Sequence, residues 1–137
     1  MKKTTIFLAS ILFIATFLTS CKDDECPIDE PTKTELLTKA EWIGDEVVAY
    51  RNDIEEGRYS FSHFSMVFLP NFDVVFYDEG DVEDLSEWKF LNNEQSIGLF
   101  EENLIWNIDT LSDSDFIISR IENDGDDVMK TIYSFKH

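Results

Sequence analysis

The fold of this chain is decided by residues 86–99, Ser-Glu-Trp-Lys-Phe-Leu-Asn-Asn-Glu-Gln-Ser-Ile-Gly-Leu. Trp88 and Phe90 alternate with charged residues, which is the period of a β-strand with one buried face. Asn92-Asn93 is typical of a tight turn, and the alternation resumes with Ile97 and Leu99. The stretch therefore predicts an antiparallel β-hairpin.

The same pattern continues on both sides of this hairpin, with short turns or loops between the strands. The acidic stretch 78–84 is predicted to be a loop, and Asn123-Asp124-Gly125 a hairpin turn. The alternation of Tyr59, Phe61 and His63 changes phase at Phe64, which indicates a bulge near His63-Phe64 or a second short strand. In all, eight strands are predicted as an all-β antiparallel meander, at 42–50, 59–69, 72–77, 88–91, 97–99, 104–111, 116–118 and 129–135.

A short helix precedes the strands. Thr32-Lys33-Thr34-Glu35 matches a capping box, and Leu36 and Leu37 then give the helix an apolar face. We expect this helix, at residues 34–39, to plug one end of a barrel. Seven aromatic side chains at alternating positions are expected to fill or line its interior: Phe68, Phe72, Phe76, Trp88, Phe90, Trp106 and Phe116.

The order of these sequence patterns resembles a known family. The hairpin 86–99, the passage Trp106–Ile118 and the ending Tyr133-Ser134-Phe135-Lys136 are similar to those of the small lipocalin-like domains of Bacteroidetes surface lipoproteins. The resemblance implies an eight-stranded antiparallel up-and-down barrel with a short N-terminal helix. This domain would span residues 32–137.

The N-terminal residues predict where the protein resides. Met1-Lys2-Lys3 and an apolar run that ends at Leu18 predict a signal peptide over residues 1–20, because the run is too short to span a bilayer. Leu18-Thr19-Ser20-Cys21 resembles a bacterial lipobox, which implies that Cys21 carries fatty acyl chains such as palmitate. The next four residues resemble the acidic export signal of Bacteroidetes lipoproteins: Lys22, Asp23, Asp24 and Glu25. Residues 21–31 are thus expected to be a lipidated acidic tether that holds the protein to the outer membrane, exposed at the cell surface.

Composition narrows the functional classes. Residues 1–20 contain two lysines and no acidic residue, so their removal leaves 117 residues and changes the net charge from −18 to −20. Such a charge repels the phosphates of nucleic acids, so a nucleic-acid partner is not expected. Cys26 is left alone once Cys21 is acylated, which excludes an internal disulfide and a cysteine metal site.

No catalytic constellation, metal site or cofactor is predicted. His63 and His137 are the only histidines, and neither has the spacing of a catalytic triad or of a metal site. Two functional classes stay open. The small size of the domain favours a non-enzymatic interaction module with a protein partner, and the alternative is a binder or carrier of a small apolar or glycan ligand. For the second class, the expected ligand-binding residues near the barrel mouth are Tyr59, Phe61, His63 and Tyr77.

The predicted localisation can be tested by mutation of residues 21–25 of the tether. We expect Cys21→Ala to release the protein from the membrane fraction, because the acyl chains supply the anchor. Replacing Lys22–Glu25 with alanine should leave the protein anchored but on the periplasmic side. Protease treatment of intact cells measures this, and unchanged accessibility of the alanine variant would exclude the export signal.

Overall fold

The computed structural model describes residues 30–99 and 104–137. The predicted signal peptide, the lipidated Cys21 and the export residues Lys22–Glu25 lie outside the described residues. Among the residues that are described, no helix is long and apolar enough to cross a membrane.

The described chain forms one short helix and nine antiparallel strands in a single sheet. Eight of the strands close into an up-and-down barrel, because β9 pairs with β1 as well as with β8. The predicted fold class is therefore confirmed, with one extra strand, β2, paired to β1 outside the closed circuit. The elements are α1 (Lys33–Thr38), β1 (Glu41–Arg51), β2 (Ile54–Ser60), β3 (Phe64–Phe68), β4 (Asp73–Asp78), β5 (Asp81–Leu91), β6 (Ser96–Leu99), β7 (Leu104–Leu111), β8 (Asp115–Asp124) and β9 (Asp127–Lys136).

The hairpin turns lie where the sequence supplies residues that tolerate a left-handed backbone. Asn92 and Asn93 have φ values of 51° and 53° between β5 and β6. Gly125, with φ of 64°, begins the two-residue turn between β8 and β9. Asparagine and glycine adopt this conformation at the lowest steric cost, so they fix where each strand reverses.

The change of phase near His63-Phe64 is the gap between two short strands. β2 and β3 both pair with the same side of β1, through Glu46↔Ser60 and Ile43↔Ser65. Between these pairs, two residues of β1 lie opposite the four residues 61–64. Phe61 fills the gap by lying over Gly44, where an added Cβ would come within 2.5 Å of the Phe61 carbonyl oxygen.

The core is densest at the barrel end that carries α1. Leu37 and Trp42 are fully buried there, and the Trp42 Nε1–H donates a hydrogen bond to the Leu37 carbonyl at 2.8 Å. The capping box is present as predicted, with the Thr32 hydroxyl accepting from the Glu35 amide at 3.2 Å. A salt bridge of 2.5 Å between Lys39 Nζ and Asp113 Oδ1 connects the end of α1 to the β7–β8 turn.

Two sequence expectations are wrong. Phe72 does not point inward: it sits in the β3–β4 turn at a φ of 71°, is 56% exposed, and covers Trp88 from outside with a ring distance of 5.3 Å. The acidic stretch 78–84 is mostly strand, since only Glu79 and Gly80 form the turn and β5 already begins at Asp81. Phe72 leaves the inward face because the turn gives it a left-handed backbone, and β5 begins at Asp81 because that residue pairs with Asp78 of β4.

A glycine pair tests the interrupted strand. Gly44→Ala should lower the free energy of unfolding by about 1–3 kcal/mol, because its Cβ would overlap the Phe61 backbone and ring. Gly57→Ala is the matched control: its Cβ would meet only the ring of Tyr59, which is exposed and free to move. Urea unfolding measures both, and equal losses would contradict the packing of Phe61 on Gly44.

The inward face of the sheet is tested at Trp88. This side chain is fully buried against Phe68 and Phe90, so Trp88→Ala should cost about 3–5 kcal/mol of stability. Ile105→Ala, on the outward face of β7, should cost less than about 1 kcal/mol. A loss below about 1 kcal/mol for Trp88→Ala in urea unfolding would mean that the strand faces are assigned the wrong way round.

Candidate ligand-binding cavity in the barrel

The barrel interior is not filled. A cavity of about 460 Å³ lies between the strands. Seven of the eight barrel strands contribute to its wall, and most of the lining side chains are apolar: Phe64, Met66, Phe68, Phe76, Glu83, Asp84, Ile97, Leu99, Leu104, Trp106, Phe116, Ile118, Tyr133 and Phe135. The alternation of each strand explains this composition, since every second side chain points into the barrel and most residues at those positions are apolar.

The cavity has a closed floor and an open mouth. Its floor is formed by Phe68, Phe116 and Phe135, which are all fully buried. Trp42 packs below them, with its ring 5.4 Å from that of Phe116, and α1 closes the barrel beyond it. The mouth therefore lies at the opposite end, beside the β1–β2, β4–β5 and β8–β9 turns.

Two carboxylates reach the mouth because of an irregularity between β4 and β5. Phe76 pairs with Asp84 and Tyr77 pairs with Val82, so Glu83 is an extra residue on β5. In a regular strand, consecutive residues face opposite sides of the sheet. A bulge disrupts that alternation, and here both Glu83 and Asp84 line the cavity.

Aromatic rings form the remaining wall of the mouth. The rings of Trp106 and Tyr133 meet edge to face at 5.1 Å, and Phe64 stacks on Phe76 at 6.0 Å. The guanidinium of Arg120 lies 5.8 Å from the centre of the Trp106 ring. That charge is already paired, since Arg120 Nη2 lies 2.5 Å from a carboxylate oxygen of Glu122.

Polar contacts fasten two hairpins together at the mouth end. Asn52, in the β1–β2 turn, exchanges two hydrogen bonds with the backbone of Val128 at 2.9 Å each. The Asn52 side-chain amide donates to Asp127, as does the Arg51 guanidinium, each at 2.7 Å. These hydrogen bonds lower the pKa of Asp127, with the Asn52 bond as the larger cause, because they stabilise its ionised form. The hairpins β1–β2 and β8–β9 are thereby held side by side.

None of the four residues that the sequence predicted to bind a ligand lines this cavity: Tyr59, Phe61, His63 and Tyr77. Tyr59 is 64% exposed on β2, outside the closed barrel, and Tyr77 lies on the outward side of β4 beside Val82. Phe61 is buried behind the cavity wall, where its ring meets those of Tyr133 and Phe135 edge to face at 5.5 and 5.2 Å. It supports the wall without being among the lining residues.

His63 lies outside the cavity. It is exposed in the gap between β2 and β3, with its Nε2 3.7 Å from Asp78 Oδ1. That oxygen is shielded from solvent and has no hydrogen-bond partner among the described residues. The pair is therefore a local contact between the ends of β3 and β4, and it is separate from the cavity.

Phe68, Phe76, Trp106 and Phe116, which were expected inside the barrel, line the cavity, whereas Glu83 and Asp84 were not expected there. The ending Tyr133-Ser134-Phe135 contains two wall residues in its alternation. Glu83 and Asp84 were assigned to a loop. The signal in the sequence was that the apolar residues Val82 and Leu85 are three positions apart, which does not fit the two-residue period of a regular strand.

Within residues 30–99 and 104–137, no group of three or more His, Cys, Asp and Glu side chains is arranged to hold a metal ion. No protein-family model matches this chain, and no curated protein matches it either. The cavity is the structural feature of the described residues that indicates a function.

Proposed function

We propose that this protein binds a small, mainly apolar molecule inside its barrel. The observation that carries the proposal is the cavity of about 460 Å³, which is within the range of about 300–1,000 Å³ usual for ligand pockets. An eight-stranded barrel is wide enough either to be filled by its own side chains or to hold one small ligand. Here the side chains leave the mouth end of the barrel unfilled.

The chemistry of the wall indicates what kind of molecule fits. Buried Ile97, Leu99 and Ile118 offer no hydrogen bonds, so a strongly polar ligand such as a free sugar would lose its hydration without compensation. The mouth is different, because carboxylates and the Tyr133 hydroxyl are found there. An apolar body with one polar end matches this gradient, and we favour it over a glycan.

We further propose that this binding is non-enzymatic and takes place at the cell surface. The lipobox-like residues up to Cys21 support anchoring in the outer membrane, and Lys22–Glu25 support display on its outer side. A tethered binder of this kind would capture its ligand close to the membrane. The resemblance to lipocalin-like lipoprotein domains supports the same proposal.

An interaction module is the second candidate function. Val67, Val75 and Leu85 pair across β3, β4 and β5 on the outward side of the sheet. Leu85 is more than half exposed, as is Val82 on the same strand. This row of outward apolar side chains is the observation that favours a protein partner.

Cavity-filling variants test the proposed function. The neutral fluorescent probe N-phenyl-1-naphthylamine should bind the wild-type protein and gain fluorescence as it leaves water. Ile118→Trp and, independently, Leu99→Phe should weaken this binding about tenfold or more, because the added atoms occupy the cavity. Ile105→Trp, on the outward face of β7, is the matched control and should leave the binding unchanged.

Circular dichroism verifies that each variant remains folded. A folded wild-type protein that binds no probe would reject the proposed function and favour the interaction module. Probe binding that survives both filled variants would place the ligand outside the barrel.

A further inference from the structure

We propose that the ligand is a cationic amphiphile, with an apolar body inside the barrel and a positively charged end, such as an alkylammonium group, at the mouth. This inference rests on the proposed function and adds the charge of the ligand's polar end. The observation behind it is the placement of Glu83 and Asp84 in an otherwise apolar wall.

The charge of the described lining residues has one sign. Glu83 and Asp84 are acidic, the other lining residues are neutral, and none of those described is a lysine, arginine or histidine. A ligand that enters the mouth therefore passes two carboxylates. An anionic end, such as a fatty-acid carboxylate, would be repelled there, and a cationic end would be attracted.

The two carboxylates are available to a ligand. The Glu83 carboxylate has no ion-pair or hydrogen-bond partner among the described residues, and Asp84 Oδ1 accepts only the backbone amide of Leu85, at 2.8 Å. The Arg120 guanidinium, which lies 5.8 Å from the centre of the Trp106 ring and is not among the lining residues, is paired with Glu122. A bound cation would thus supply the charge that this part of the mouth lacks.

Aromatic rings adjoin the carboxylates. Asp84 is the direct cross-strand partner of Phe76, whose ring stacks on that of Phe64. Both rings line the cavity and are half-buried. The faces of aromatic rings attract cations, and quaternary ammonium groups are recognised in proteins by cages of such rings. Glu83 and Asp84 are themselves exposed, so water partly screens their attraction for a cation.

The general acidity of the protein is a separate effect. A net charge of −18 attracts any cation, so a preference for cations would not by itself locate the site. Substitutions that change the total charge equally but lie on different faces of β5 separate the two effects. Glu83 lies at the cavity, whereas Glu87 is exposed on the outward side.

The test uses three ten-carbon probes that differ at one end: decyltrimethylammonium, decanol and decanoate. Isothermal titration calorimetry, below the micelle concentrations, measures their binding to the chain that lacks the predicted signal peptide (residues 1–20) and carries Cys21→Ala, so that neither an apolar leader nor acyl chains require detergent. We expect the ammonium probe to bind about tenfold or more tightly than decanoate. Glu83→Gln and Asp84→Asn should each weaken it about three- to tenfold, and should change decanol binding less than about twofold.

Glu87→Gln is the matched control and should alter ammonium binding less than about twofold. An equal loss in Glu83→Gln and Glu87→Gln, or equal affinity for all three probes, would overturn the cationic ligand and leave the apolar binder standing. If none of the probes binds, the proposed function fails, and this inference fails with it.

Discussion

The packing of aromatic rings at the helix end is the interaction on which the rest of the barrel depends. Trp42 meets Phe116, Phe116 meets Phe68, and Phe68 meets Trp88, with ring centres 5.4 to 5.8 Å apart. These side chains come from four strands that are distant in sequence. They fill one end of the barrel completely and provide a rigid floor, so the other end can stay hollow without collapse of the sheet.

The hollow end is stabilised by a different means. Its walls contain half-buried rings, and its hairpins are joined by hydrogen bonds among Asn52, Asp127 and Val128. Directional polar contacts hold the rim in place without filling the space inside it. Stability and binding are therefore assigned to different ends of the barrel. The large buried rings at the helix end supply most of the stability, and the less densely packed mouth end is free to bind a ligand.

The sequence predicted where the helix and strands lie better than it predicted which side chains face the interior of the barrel. Alternation and turn residues predicted the meander, the entry helix and most of the inward aromatic residues, because these depend on neighbours within a few positions. The binding wall depends on register between strands. Glu83 and Asp84 line the cavity because of the bulge in the pairing of β5 with β4, and Phe72 points outward because it lies in a turn with a left-handed backbone. The local pattern identifies neither feature.

Strand β2 shows the same limit of prediction from the sequence, here beside the candidate site. Phe61 and Tyr59 have the same parity in the sequence, yet one is buried behind the wall and the other is exposed outside the barrel. Their separation results from the gap opposite Gly44, where β2 ends and residues 61–63 lead into β3. A change of phase was visible in the sequence, but the direction that each side chain would take was not.

The pairing of β1 with β9 has a consequence for the time course of folding. The strands that close the barrel are the first and the last, and pairs such as Gly44↔Phe135 join residues at opposite ends of the domain. Local hairpins such as β8–β9 form without a large loss of chain entropy, whereas this closure has to bring the two ends together. During synthesis from the N-terminal end β1 forms early, but the barrel cannot close until the ten residues of β9 have been synthesised.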